Sequence, residues 1–262
     1  MKYLKILLIT LGILCSFPAF TAPLKVVVTT TLLKEATKAV GGKNVSIHTF
    51  TSANSCPGNF DCKPSDVAAI NSSKLILYHG FETYLSSISK NKKPIKIAQN
   101  KNMLVPNNYI LGINQIKDLL IKLDPKNKSY YSSNANKAIV KTKNLDKNIK
   151  SKSIKLKGVK VICAEENIEF VKYLGFHVIY AYPQSDKISA KEWSDMTQKA
   201  KKEKVKITID NLQTGQYVTA QLAKDIKAKH IVLSNFPDGL KNTSTYEKCI
   251  ITNLNTCIKV IK

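Results

Sequence analysis

Lys126–Lys152 reads KNKSYYSSNANKAIVKTKNLDKNIKSK, 27 residues without a glycine or a proline. Its apolar residues are sparse, among them Tyr130, Tyr131, Ala135, Ala138, Ile139, Leu145 and Ile149. Ala135, Ala138, Ile139, Leu145 and Ile149 mostly recur at helical steps. The segment therefore predicts one long helix with a narrow apolar stripe rather than a disordered Lys/Asn linker. On both sides of it the pattern alternates between strand and helix, so the helix reads as the joint between two halves.

In the first half, Leu24–Thr31 (LKVVVTTT) is β-branched and predicts a buried strand. Helical spacing follows from Leu32 to Val40 and stops at Gly41-Gly42. Val45–Thr51 predicts a second strand, and Ser65 or Asp66 is placed to cap a helix through Ser72. Leu75–Tyr78 is a third strand with His79-Gly80 at its carboxyl end. Phe81–Ile88 looks helical, Ile95–Ala98 and Met103–Val105 look extended, and Ile113–Leu123 predicts a helix closed by Asp124-Pro125. In the second half, strands are expected at Val159–Cys163, His177–Ala181, Val205–Ile209 and His230–Leu233. Helices are expected at Ile168–Leu174, Ser189–Lys204 and Val218–Ile226. Strand–helix alternation implies mostly parallel sheets. The fold class is therefore α/β: two parallel-sheet α/β lobes joined by a single long backbone helix, with a ligand cleft between the lobes. The expected segments are a signal peptide at 1–22, a first lobe at 23–112, connecting helices at 113–154 and a second lobe at 155–262.

The first residues carry Lys2 and Lys5, an apolar run from Ile6 to Leu14 and small residues up to Ala22, the pattern of a secretory signal peptide. Export makes disulfides permissible. Cys249 and Cys257 are expected to staple the C-terminal segment. Cys56 is open to pairing with Cys62 or to serving as a thiolate ligand, which leaves Cys163 free. The chain carries 41 basic residues against 18 acidic ones, a formal charge of +23, and every basic residue is lysine. Without arginine's bidentate fork, and with lysines spread from end to end, the charge reads as a solvated surface and no nucleic-acid partner is expected. There is no nucleophile elbow, P-loop or supported Ser/His/Asp set, so no enzymatic activity is expected.

In open α/β sheets, ligands bind outside the carboxyl ends of the strands. That rule gathers Thr29–Thr31, the Cys56–Asp61 loop, His79 and Glu82 from the first half. From the second it gathers Cys163–Glu166, Asp210–Gln213 and Ser234–Phe236. Asp61, Glu82, Asn211, Gln213 and Asn235 are the expected substrate-contacting residues.

Several of these stretches resemble the cluster A-I substrate-binding proteins of metal ABC transporters. The resemblance lies in Val27-Val28-Thr29-Thr30-Thr31, the Pro57…Phe60-Asp61…Pro64-Ser65-Asp66-Val67 loop, Leu75–Gly80, Leu123-Asp124-Pro125 with Tyr130-Tyr131, and Ala223-Lys224…Val232-Leu233. It implies two α/β lobes on one backbone helix, a monomer, a periplasmic or other extracytoplasmic location and a permease partner in the inner membrane. The cargo it implies is a transition metal, zinc or manganese foremost, with no catalytic cofactor. The family's usual ligands are three histidines and an acid. Their places fall at Gly58, near Asn107 or Asn108, at Ala164 and at Asp210, so only the acid is kept. The chain resembles a divergent branch of that family with Cys56-Pro57-Gly58, His79-Gly80-Phe81-Glu82, Asp210–Gly215 and Leu233–Pro237. A soft-to-borderline donor set of Cys56, His79, Glu165 and Asp210 would suit a transition metal. The same cleft with its imidazoles lost also suits a metal chelate or another small organic ligand. His48, His177 and His230 are read as structural.

Overall fold

A computed structural model describes residues 22–58 and 60–261; the expected signal peptide lies outside them apart from residue 22. The first lobe starts with β1 (Leu24–Val28), α1 (Thr31–Gly41), β2 (Val45–Thr49), α2 (Pro64–Ser72) and β3 (Leu75–Tyr78). It continues through α3 (Leu85–Ile88) and β4 (Ile95–Lys96). Two helices follow, α4 (Pro106–Leu123) and α5 (Lys128–Ser153). The second lobe holds β5 (Lys160–Ala164), α6 (Ile168–Tyr173), β6 (His177–Tyr182), α7 (Ala190–Lys202), β7 (Ile207–Asn211), α8 (Ala220–Asp225), β8 (Lys229–Leu233) and α9 (Tyr246–Lys259).

Each lobe is built on a four-stranded parallel sheet, ordered β2-β1-β3-β4 in the first and β6-β5-β7-β8 in the second. Parallel strands with both faces covered need continuous apolar runs rather than alternation. Val26, Val27 and Val28 meet that need, as do Val161, Ile162 and Cys163, all buried. In both sheets the chain reverses its direction of growth beside the first strand. That places a crevice at the carboxyl ends of β1 and β3 in one lobe and of β5 and β7 in the other.

The long polar helix forms as its spacing predicts. Only Tyr131, Ala135, Thr142, Leu145, Ile149 and Ser153 of α5 are buried, a stripe at steps of three, four and seven. Burial of Leu145 or Ile149 contributes roughly 1.5–3 kcal/mol each. The stripe joins residues of both sheets into one continuous apolar core, from Val26 and Leu77 to Val161 and Ile207. Gly42, at φ +52°, closes α1, and a Cβ there would collide with the Tyr130 hydroxyl of α5.

Several boundaries differ from expectation. Thr29–Thr31 leave the strand because Thr30 caps α1, its hydroxyl accepting the Leu33 N–H at 3.3 Å. The second helix begins at Pro64, and Asp66 secures it by accepting the Lys63 N–H at 2.9 Å. Met103–Val105 is a turn, and the expected Ile113 helix starts at Pro106, whose missing N–H suits a first helical position. Phe81–Ile88 shrinks to Leu85–Ile88, since the Glu82 carboxylate binds the His79 and Gly80 N–H groups and holds the chain in a tight loop.

The expected Cys249–Cys257 disulfide is corrected. Both residues lie on α9, eight positions apart, and both are free and buried. At 1.5 Å per residue they stand roughly 12 Å apart along the axis, well beyond disulfide reach. Cys56 and Cys62 are likewise unpaired, the first half-buried and the second exposed.

Candidate cargo site between the lobes

On the first lobe, the strand-end loops converge on Glu82. It is 2% exposed, and its carboxylate accepts the Thr29 hydroxyl at 2.5 Å, the His79 N–H at 3.1 Å and the Gly80 N–H at 2.8 Å. His79 is also buried. Its Nε2 shares a 2.9 Å hydrogen bond with the Thr30 hydroxyl, the group that caps α1. Its ring stacks on Phe81 of the same lobe (centroids 5.3 Å apart) and on Phe236 of the other (6.4 Å). Burial lowers the His79 pKa, against the opposing charge of Glu82, so the imidazole is held neutral.

Gly80 adopts φ +122°, and a Cβ there would collide with the Asn100 side chain. Asn100 comes from a run of three left-handed residues, Ala98, Gln99 and Asn100, at φ 56°, 48° and 67°. Such a backbone costs about 1–2 kcal/mol per residue. Gln115 of α4 holds it, accepting the Ala98 N–H at 3.1 Å and donating to the Lys96 carbonyl at 2.7 Å.

On the second lobe, Asn211 organises the loop after β7. Its Oδ1 accepts the Gln213 and Thr214 N–H groups at 2.9 and 3.1 Å, and its Nδ2 donates to Asn167 at 3.0 Å. Gln213 then accepts the Asn235 N–H at 3.1 Å and donates to the Ser234 hydroxyl at 3.0 Å. Asn235 donates to the Glu166 carbonyl at 3.2 Å, while its own Oδ1 is buried without a partner. Burial raises the Glu166 pKa, and the Thr214 hydroxyl, 3.3 Å away, acts in the opposite sense.

The lobes touch directly along this seam. Gln213 donates to the Ala53 carbonyl at 2.6 Å, the Thr31 hydroxyl donates to the Pro237 carbonyl at 2.6 Å, and Gln184 donates to the Cys56 sulfur at 3.0 Å. Glu169 of α6 accepts the Asn102 N–H and the Asn108 side-chain amide, both at 2.6 Å. Tyr109 and Tyr246 stack with centroids 3.7 Å apart, and the Tyr246 hydroxyl donates to the Leu104 carbonyl at 3.0 Å.

The expected site residues thus fall into separate groups. His79 and Glu82 share one network. Asn211, Gln213 and Asn235 share another, and Cys56 sits at the seam. Glu165 and Asp61 are exposed. Asp210 is 0% exposed and lies inside the second lobe. It accepts the Tyr182 hydroxyl at 2.6 Å, the Thr219 hydroxyl and N–H, and shares a 2.9 Å contact with His230. Its two oxygens are therefore saturated. Among the described residues, no three His, Cys, Asp or Glu side chains are grouped so as to hold a metal ion. Gln184, Asn102 and Glu169 were not expected. Gln184 lies just past the carboxyl end of β6, so the strand-end rule extended to that strand would have found it.

Two parallel α/β lobes on one long helix, with their strand ends facing across a polar seam, define a two-lobed binding-protein architecture. The chain belongs to the family described as ZnuA, zinc-uptake complex component A periplasmic, whose sequence profile matches residues 26–260. It is 27% identical over 158 residues to the iron ABC transporter substrate-binding lipoprotein MtsA of Streptococcus pyogenes serotype M1, covering 49% of this chain and 51% of that one. It is 26% identical over 156 residues to the manganese ABC transporter substrate-binding lipoprotein PsaA of Streptococcus pneumoniae, covering 48% and 50%. The chain thus spans about half the length of these curated relatives. In fold it is similar to the periplasmic zinc binding protein TroA from Treponema pallidum, with a TM-score of 0.80, 16% identity and coverage of 92% of this chain and 99% of that one. It is also similar to a Mn-bound periplasmic metal binding protein from Candidatus Liberibacter asiaticus, with a TM-score of 0.78, 16% identity and coverage of 90% and 99%.

Proposed function

We propose that this chain is an exported substrate-binding protein that carries a transition-metal ion of the zinc, manganese or iron class to an ABC-type importer in the inner membrane. The observation that carries the reading is the family match over residues 26–260. The seam adds a physical route. The cross-lobe hydrogen bonds next to the strand ends, Gln213 to Ala53, Thr31 to Pro237 and Gln184 to Cys56, are polar contacts that water can replace, so the mouth of the seam is where cargo would enter while the shared apolar core keeps the lobes joined. Cys56 of the first lobe and Glu165 of the second are the donors freest to turn toward an ion, and His79 joins them by releasing Thr30. Asp210 contributes only by releasing Thr219 and His230. Asp61, Glu82, Asn211, Gln213 and Asn235 then surround the cargo. Calorimetric titration of metal-stripped protein with Zn²⁺, Mn²⁺ and Fe²⁺ tests this: one of them binds with unit stoichiometry, and Cys56→Ser or His79→Gln weakens it.

A second reading, capture of a metal chelate or other small organic ligand, is favoured by the amides that line the seam and by the unpartnered Asn235 Oδ1. An amide-rich wall suits polar organic groups better than a bare cation. A small ferric chelate that binds where the bare ions do not would select it.

A further inference from the structure

We propose that the far end of the second lobe, opposite the seam, carries a binding site for a phosphate-bearing anion. A cavity of about 350 Å³ opens there, rimmed by Lys201, Lys204, Lys206 and Lys227 over an apolar floor that includes Val205 and Ile226. Three elements frame it: the carboxyl ends of α7 and α8 and the amino end of β7. Lysines spread along the sequence imply an ordinary solvated surface, but the fold brings four of them from three segments around one hollow.

The backbone that brings them together is unusual for lysine. Lys204 and Lys227 both stand in the left-handed region, at φ 53° and 56°, each just past the end of its helix. Each helix closes with a six-to-one turn, Val205 N–H to the Ala200 carbonyl at 3.0 Å and Ala228 N–H to the Ala223 carbonyl at 2.8 Å. Glycine fills this place without steric cost. Here lysine occupies it twice, at two helix ends facing the same cavity.

The local charge is not cancelled. Glu203 is held by Lys160 at 2.8 Å, and Asp225 accepts the Gln221 side chain at 2.8 Å. Neither lines the cavity. The two helix ends contribute roughly half a negative charge each, which helps to hold the lysines but leaves a clear excess of positive charge. Lysine binds phosphate as a set of point charges with three donors apiece. A phosphate dianion suits a hollow lined by four lysine residues better than a single carboxylate does. The apolar floor accommodates the organic part of a phosphate ester.

The test uses the full mature chain. Inorganic phosphate is titrated while the backbone amide resonances of Lys204, Val205, Lys206 and Lys227 are followed. The paired variant Lys204→Gln/Lys227→Gln is compared with Lys141→Gln/Lys143→Gln, which removes the same charge from α5. Thermal melting of both variants establishes that they fold. Saturable shifts at the cavity amides, weakened about tenfold or more in the first variant and less than twofold in the second, are expected. A second arm measures sedimentation with phosphatidylcholine vesicles containing phosphatidylglycerol. A loss confined to the cavity variant assigns the phosphate to a lipid headgroup. Vesicle binding equal in both variants, with phosphate binding lost only in the cavity variant, assigns it to a free phosphate compound. Absence of saturable shifts, or equal weakening in both variants, overturns the proposal.

Discussion

The side-chain amide of Gln184 in the second lobe donates to the thiol sulfur of Cys56 in the first, at 3.0 Å. This contact crosses the seam at the edge of the proposed cargo site and makes Cys56 a reporter of lobe closure. In the closed arrangement the half-buried Cys56 reacts with iodoacetamide more slowly than the exposed Cys62. Cargo slows it further. Cys56→Ser keeps the melting temperature while weakening a thiophilic ion such as Zn²⁺ by about tenfold or more. Titration calorimetry and peptide-level alkylation mapping read both effects. Equal labelling of the two cysteines with and without cargo would argue against Cys56 lying at the site.

Asp210 separates a structural role from a ligand role. The carboxylate is fully buried and meets Tyr182, Thr219 and His230. Asp210→Ala strands those donors in the lobe interior, a loss on the scale of breaking a buried pair, about 3–5 kcal/mol. At about 2–4 °C per kcal/mol for a chain of this size, scanning calorimetry of the metal-free protein should show a drop of roughly 6–20 °C. An unchanged melting point together with lost metal affinity would instead mark Asp210 as a ligand.

Glu35 on α1 has a raised pKa. Its burial outweighs the attraction of Lys38 and Lys34, and Asp238 and Glu247 add in the same sense. A raised folded-state pKa means that the native protein binds the proton more tightly than the unfolded chain. The ionised carboxylate therefore costs stability at neutral pH, and the cost fades as pH falls through the folded-state value toward 4.5. Glu35→Gln should stabilise the protein at pH 7 and lose that advantage near pH 4. Urea denaturation at the two pH values measures this, and an equal gain at both contradicts it.

Thiol chemistry checks the C-terminal helix. Burial pushes Cys249 and Cys257 up to about 12, so both stay protonated and slow to react. In the native protein only Cys62 and, more slowly, Cys56 should react with a thiol reagent among the described cysteines. Unfolding should release Cys163, Cys249 and Cys257 as well. A non-reducing peptide map showing a Cys249–Cys257 crosslink would contradict the helix.

What the sequence made legible is what local pattern controls. The β-branched run before Thr29, the apolar steps of α5 and the glycine after α1 each act through neighbours within a few positions. They located both lobes and the joint between them. What the sequence leaves hidden depends on distant partners. Asp210 sits at a strand end, as a ligand should, but its surroundings are set by Tyr182 and Thr219, 28 and nine residues away. The left-handed turn at Ala98–Asn100 is held by Gln115 across 17 residues, and no local signal announces it. The Cys249–Cys257 pairing failed for a different reason. Both cysteines lie on the closing helix α9, where an eight-residue spacing excludes the bond.

In the proposed function the seam between the lobes holds one transition-metal cargo. Native mass spectrometry of the protein, purified without chelators and then reloaded with Zn²⁺, Mn²⁺ or Fe²⁺ after stripping, is the decisive measurement. A single added metal mass is expected for one of these ions, matched by a rise in thermal stability. Saturation at 100 times the Kd stabilises the folded state by about 2.7 kcal/mol. A chain that keeps its bare mass with every ion and melts at the same temperature in their presence would contradict it.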